Sequence, residues 1–143
     1  IFRGRNIMAN ALYKKAKEAF LEGLLDLTDD TLKLCLVKNS YTVNLDSHQY
    51  LSDIGNSNIA AISGSLSGKT TTNGIFDADN ATIEDYGTSG FNYLVLFKDT
   101  GTSSSSRLIA YIDTAEGLPV SSSVSPISIT INWSNTVNKI FTL

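Results

Sequence analysis

Residue types able to do chemistry are few in this chain and poorly grouped. His48 is the only histidine and Cys35 the only cysteine. A Ser-His-Asp or Cys-His relay would have to run through His48, and its nucleophile must lie within hydrogen-bond reach of it. Asp46, Ser47 and Asp53 are near in sequence, but nearness sets no geometry, and a lone histidine among polar residues reads as a solvated side chain. Cys35 stands between Leu34 and Leu36. There the expectation is a buried, inert thiol, because a reactive one needs a charged neighbour to hold it as thiolate. One cysteine leaves no internal disulfide, and one His with one Cys cannot fill the three or four positions of a zinc site.

Two stretches approach ligand motifs without meeting them. Gly64-Ser65-Leu66-Ser67-Gly68-Lys69-Thr70 has three residues between its first glycine and Gly-Lys-Thr, whereas a phosphate-cradling loop needs four. We read it as a turn carrying a lysine. Asp77-Ala78-Asp79-Asn80 clusters oxygen ligands, but Ala81 and Thr82 stand where a calcium loop requires a further ligand and a glycine. Glu84-Asp85 lacks a partner motif for acid–base work. Asn80-Ala81-Thr82 and Asn132-Trp133-Ser134 match the glycosylation acceptor, which has meaning only in a secreted chain. We therefore assign no catalytic residue, no cofactor and no metal from the sequence, and expect a protein that is not an enzyme.

The elements that would position these residues are mostly strands. From Ala9 onward Leu12, Tyr13, Ala16, Ala19, Phe20 and Leu24 recur at helical spacing, so a helix is expected over residues 9–23. Asn10 is the expected cap at its start, and Gly23 the left-handed stop. Beyond Asp30 the pattern changes to alternation and turns. Residues 31–38 form a strand with Leu32, Leu34 and Leu36 on one face, and residues 41–45 are its expected hairpin partner. A short helical turn capped by Ser47 follows within 47–54. Further strands are expected at 59–66, 81–84, 91–98, 107–113, 127–133 and 139–143.

Residues 91–97 are nearly continuous in apolar character and predict a central strand covered on both faces. They pair with 107–112 in the best-marked hairpin, whose Ser103–Ser106 tip is expected to be flexible and to reach solvent or a neighbouring subunit. Most of the tyrosines and Trp133 are assigned to the core. The fold class is mainly β with one N-terminal α-helix, in an antiparallel β-sandwich or barrel.

Length and charge narrow the classes of function. The chain has 143 residues, of which 42% are hydrophobic, and fits one domain with a real core. Its apolar runs are far shorter than the ~20 residues that span a bilayer, so no membrane contact is expected. Net charge is −3, yet Arg3, Arg5, Lys14, Lys15 and Lys17 place five of the eleven basic residues in the first seventeen positions. A basic head on an acidic body suits an acidic protein surface. Nucleic acid is not an expected partner, because the body would repel phosphate and no basic–aromatic interleaving occurs. Residues 1–8 read as an N-terminal arm or translated leader, and 9–143 as a single domain.

Several segments together resemble one family. They are Ala11-Leu12-Tyr13 with Phe20-Leu21-Glu22-Gly23, Tyr41-Thr42-Val43-Asn44-Leu45 with Tyr50-Leu51-Ser52-Asp53-Ile54, and Lys98-Asp99-Thr100-Gly101-Thr102 with residues 107–115 and 117–120. Ile129-Thr130, Trp133 and Asn138-Lys139-Ile140-Phe141 complete the set. From Met8 onward the chain is similar to small structural proteins of tailed bacteriophage particles. The resemblance implies a structural role in a virion assembled in the bacterial cytoplasm, and we place the protein among capsid decoration (cement) proteins. Its expected partners are the major capsid protein or other virion subunits and further copies of itself, a trimer on a local three-fold being one closed arrangement. Expected contact residues are Arg3, Arg5, Lys14 and Lys15 with Ser103, Ser104, Ser105 and Ser106. Two alternatives stand beside this: a tail, neck or fibre-associated subunit that pairs through the 91–113 hairpin, and a carbohydrate-binding adhesin module with exposed Tyr and Trp133.

Overall fold

A computed structural model describes residues 10–83, 90–113, 115, 118–121, 128–133 and 140–143. The chain is mainly β, with one helix near its N-terminus and antiparallel strand pairing throughout these residues. The central sheet contains β1 (Ala11–Leu12), β2 (Leu32–Val37), β3 (Ile59–Ile62), β6 (Tyr93–Lys98) and β7 (Leu108–Ile112), in the order β1-β7-β6-β2-β3. Two smaller pairs join β4 (Ile75–Phe76) to β9 (Phe141–Thr142) and β5 (Ala81–Ile83) to β8 (Ile129–Ile131). The central sheet is open, with β1 and β3 at its edges, so it does not close into a barrel.

Register explains why β2, β6 and β7 are apolar on both faces. Leu34 opposes Leu96 and Leu36 opposes Leu94, while Leu96 and Leu94 oppose Ala110 and Ile112. Directly opposed residues share a face, so these six build one fully buried side of the sheet. Cys35, Val95 and Tyr111 build the other side. Both sides belong to one contiguous core that also takes in Phe76, Ile83, Ile131 and Phe141 from the smaller pairs, with Trp133 and Ile140 just beyond them. The expectations of a doubly covered strand within 91–98 and of its hairpin with 107–113 are met by β6 and β7.

The expected helix over 9–23 is shorter than its apolar period suggested. Helix α1 spans Lys14–Leu21, and Ala11–Leu12 instead pair as strand β1 with Tyr111 and Ala110. The chain turns at Tyr13, whose backbone is extended and whose N–H donates to the Ile109 carbonyl at 3.1 Å. Here an available sheet edge outcompetes the helical period, which cannot distinguish the first turn of a helix from the strand leading into it. Asn10 is consequently not the helix cap. Its Nδ2 donates to the Ile140 carbonyl at 2.7 Å, and its Oδ1 accepts from the Asp113 N–H at 3.3 Å. The C-terminal expectation holds: Gly23 is left-handed (φ +74°), with its N–H on the Phe20 carbonyl and that of Leu24 on the Ala19 carbonyl.

Residues 41–45 are not a strand, and the neighbours of β2 are β6 and β3. The segment wraps onto α1 instead, where the Leu45 carbonyl accepts from the Lys14 N–H at 2.8 Å. The short turn after it is a 3-10 turn at Leu51–Asp53. It is held by Asp53, not Ser47, through the Gln49 and Tyr50 N–H groups at 2.8 and 2.9 Å. Those two donors, Tyr50 first, keep the Asp53 carboxyl below its usual range.

Candidate functional site

Tyr13, Tyr41 and His48 form a hydrogen-bonded polar chain that joins the N-terminus of α1 to the 41–48 segment. His48 is half-buried rather than solvated, and its Nδ1 lies 2.8 Å from the Tyr41 hydroxyl, which lies 2.9 Å from that of Tyr13. Burial pushes the Tyr41 hydroxyl up to about 12 and that of Tyr13 far above its ordinary value. Neither phenol gives up its proton near neutrality, so the chain of hydroxyls ties α1 to the 41–48 segment and leaves no phenolate nucleophile. Cys35 is fully buried and its thiol is likewise pushed up to about 12 by desolvation. The expectation of an inert thiol holds.

The two near-motifs turn out to face each other. Thr70 and Asp77 exchange backbone hydrogen bonds at 2.9 and 3.0 Å, and the Asp79 N–H donates to the Ser67 carbonyl at 2.9 Å. Gly68 is left-handed (φ +63°), and a Cβ there would meet the Asp79 carboxylate. That carboxylate lies over the loop and would repel a phosphate. The Lys69 ammonium is turned away to the Asp30 carbonyl. The left-handed backbone by itself favours glycine at this position, and the Asp79 carboxylate adds crowding above it. Among the described residues, no three metal-ligating side chains converge, and no helix is long and apolar enough to cross a membrane.

The expected contact residues are dispersed. Arg3 and Arg5 lie outside the described residues. Lys14 pairs with Asp46 at 2.8 Å and Lys15 with Glu18 at 3.1 Å, both near the surface, where such pairs contribute little to stability. Their charge is nonetheless locally balanced, so the basic head is weaker than its composition suggests. Ser103, Ser104 and Ser105 are exposed. Ser106 is only 1% exposed and must be removed from the contact set. Its Oγ accepts from the Thr100 N–H at 3.1 Å and donates to the Thr102 carbonyl at 2.9 Å, and its own carbonyl accepts from the Leu51 N–H at 2.8 Å. The tip expected to be flexible is a hydrogen-bonded turn packed on the 49–53 segment, because the hydroxyls of Thr100, Ser105 and Ser106 bond to one another and to the turn's own backbone.

Two features at the sheet edges went unread in the sequence. Ser63, just beyond β3, is buried, and its Oγ accepts from the Leu34 N–H and donates to the Gly64 carbonyl, each at 2.8 Å. A serine in a run of serines and glycines carries no signal that it has this role. At the other edge Asn10, Ala11, Leu12, Lys14, Lys17 and Asp46 line one shallow groove. Trp133, the residue an exposed aromatic platform would need, is 1% exposed. Neither the protein-family models nor the curated proteins nor the solved structures yield a match to this chain.

Proposed function

We propose that this chain is a structural subunit of a tailed-phage particle, a capsid decoration protein that binds and stabilises the assembled shell. The observation that carries this reading is the use to which the chemically capable side chains are put. Cys35 is buried, His48 is tied to Tyr41, Lys69 to the Asp30 carbonyl, and Asp79 fills the space over Gly68. Among the described residues the outward surface carries small polar side chains, sheet edges and the exposed Leu21, Leu24 and Leu143, a surface suited to contact. A protein of this kind stabilises a lattice by binding its assembled form only, so its effect follows mass action. With Lys14 and Lys15 paired locally, attraction to an acidic shell draws on Lys17 and on Arg3 and Arg5.

A tail or neck position is the less favoured reading, because the hairpin it relied on is interior to the sheet. Strands β6 and β7 lie between β2 and β1, which leaves neither of them an edge to offer a neighbouring subunit. The adhesin reading loses its platform with Trp133 buried.

Quantitative mass spectrometry of purified particles tests the proposal through the copy number relative to the major capsid protein. A ratio near one-to-one, or one copy per three-fold position, supports decoration. A ratio of a few per cent of that moves the chain to the tail or neck, and absence from particles overturns the virion reading.

A further inference from the structure

Strand β3 reads Ile59-Ala60-Ala61-Ile62 and has a neighbour on one side only among the described residues. Exposed strand edges template further pairing, and proteins usually blunt them with charge, proline or a cover. Here no charged side chain and no proline stands between Asp53 and Lys69. Ile62 remains 42% exposed, which is unusual for a large apolar side chain beside a core. The Ser63 N–H donates to the Leu34 carbonyl at 2.8 Å. By the alternation of an antiparallel ladder, the N–H and C=O of Ile62 then point away from β2 into the open edge.

We propose that this edge binds a second copy of the same chain, with the two β3 strands pairing antiparallel across a two-fold axis. A two-fold normal to the sheet sets one residue opposite its own copy, and the outward N–H and C=O of Ile62 make Ile62 against Ile62 a hydrogen-bonded pair at the axis, with both exposed side chains on one face. That is the self-complementarity an isologous interface requires. Charge favours this edge over other surfaces for a homophilic contact. A body of net charge −3 repels its own copy wherever acids meet, and this segment brings none. The pairing does not depend on the virion reading; it joins two five-stranded sheets into one of ten.

The test is sedimentation velocity on the full chain from micromolar to millimolar concentration, with hydrogen exchange read at single amides. The expected result is a species of twice 15.4 kDa, with exchange at the Ile62 amide slowing as concentration rises while the β2 amides are unchanged. Ile62→Lys should weaken association by about tenfold or more. The exchange measurement needs only the unaltered chain, so the proposal stays testable if the variant folds poorly. A single chain at millimolar concentration overturns the proposal. So does an oligomer in which Ile62 exchange is independent of concentration, or a trimer indifferent to Ile62→Lys.

Discussion

At one edge of the central sheet β1 contributes two residues, and charged or amide side chains (Asn10, Lys14, Lys17 and Asp46) surround them. Tyr50 bridges to Arg107 and the Gln49 carbonyl accepts from the Leu108 N–H, so the outer side of β7 is paired beyond the reach of β1 as well. At the other edge β3 contributes four apolar residues with uncharged flanks. Both edges finish the same core, yet only the first carries devices that stop further pairing. A protein that merely had to stay folded would gain from guarding both, and the asymmetry marks β3 as the edge with a use.

The comparison can be broken or sharpened by substitution, with the sheet centre setting the scale. Leu96→Ala in β6 removes a fully buried side chain flanked by strands on both sides, and should cost about 2–5 kcal/mol in urea-denaturation free energy. Ser63→Ala strips the hydroxyl that pairs the buried Leu34 N–H beside β3, so the expected loss is about 1–3 kcal/mol. A smaller loss would mean that the β3 end relaxes to satisfy Leu34 by itself. Asn10→Ala removes two side-chain bonds that fasten the chain entering β1, for about 1–2 kcal/mol, and should speed exchange at Tyr13 and Tyr111 before the β2 amides respond.

The smallest effect belongs to the 3-10 turn packed beside β7. Asp53→Ala should cost about 0.5–1 kcal/mol at neutral pH, because it strips the acceptor of two N–H groups at an exposed site. Its folded carboxyl is held below the unfolded value, so this contribution is present above the ordinary carboxylate range, about pH 4. It is lost as pH falls through the lower folded value. The stability gap between wild type and Asp53→Ala should therefore close on acidification, and a gap that widens would mean the turn is held by something other than the ionised carboxylate.

Much of this architecture is legible in the residues alone. Alternation at Leu32, Leu34 and Leu36, and the unbroken apolar run before Lys98, announce strands, because side chains on a pleated chain repeat every two residues. Gly23 marks the helix stop for the same kind of local reason, since a residue lacking Cβ enters the left-handed region at low cost. The inertness of Cys35 also follows from its apolar neighbours. Which strands pair does not follow, because pairing depends on distant partners: nearness and alternation point to 41–45 as the mate of β2, whereas β6 and β3 flank it.

The site residues divide along the same line. Sequence alone supplies one histidine and one cysteine for any such chemistry, and it gives the glycine-rich loop the wrong spacing for phosphate. Tertiary structure decided that Asn10 fastens an edge and does not cap a helix, that Ser106 is buried while Ser103–Ser105 are not, and that His48 is bound to Tyr41. It also decided that Ile59–Ile62 is an edge. Each of these turns on which group stands across from another far away in the chain, and a sequence records neighbours along the backbone while hydrogen bonding and burial are settled by neighbours in space.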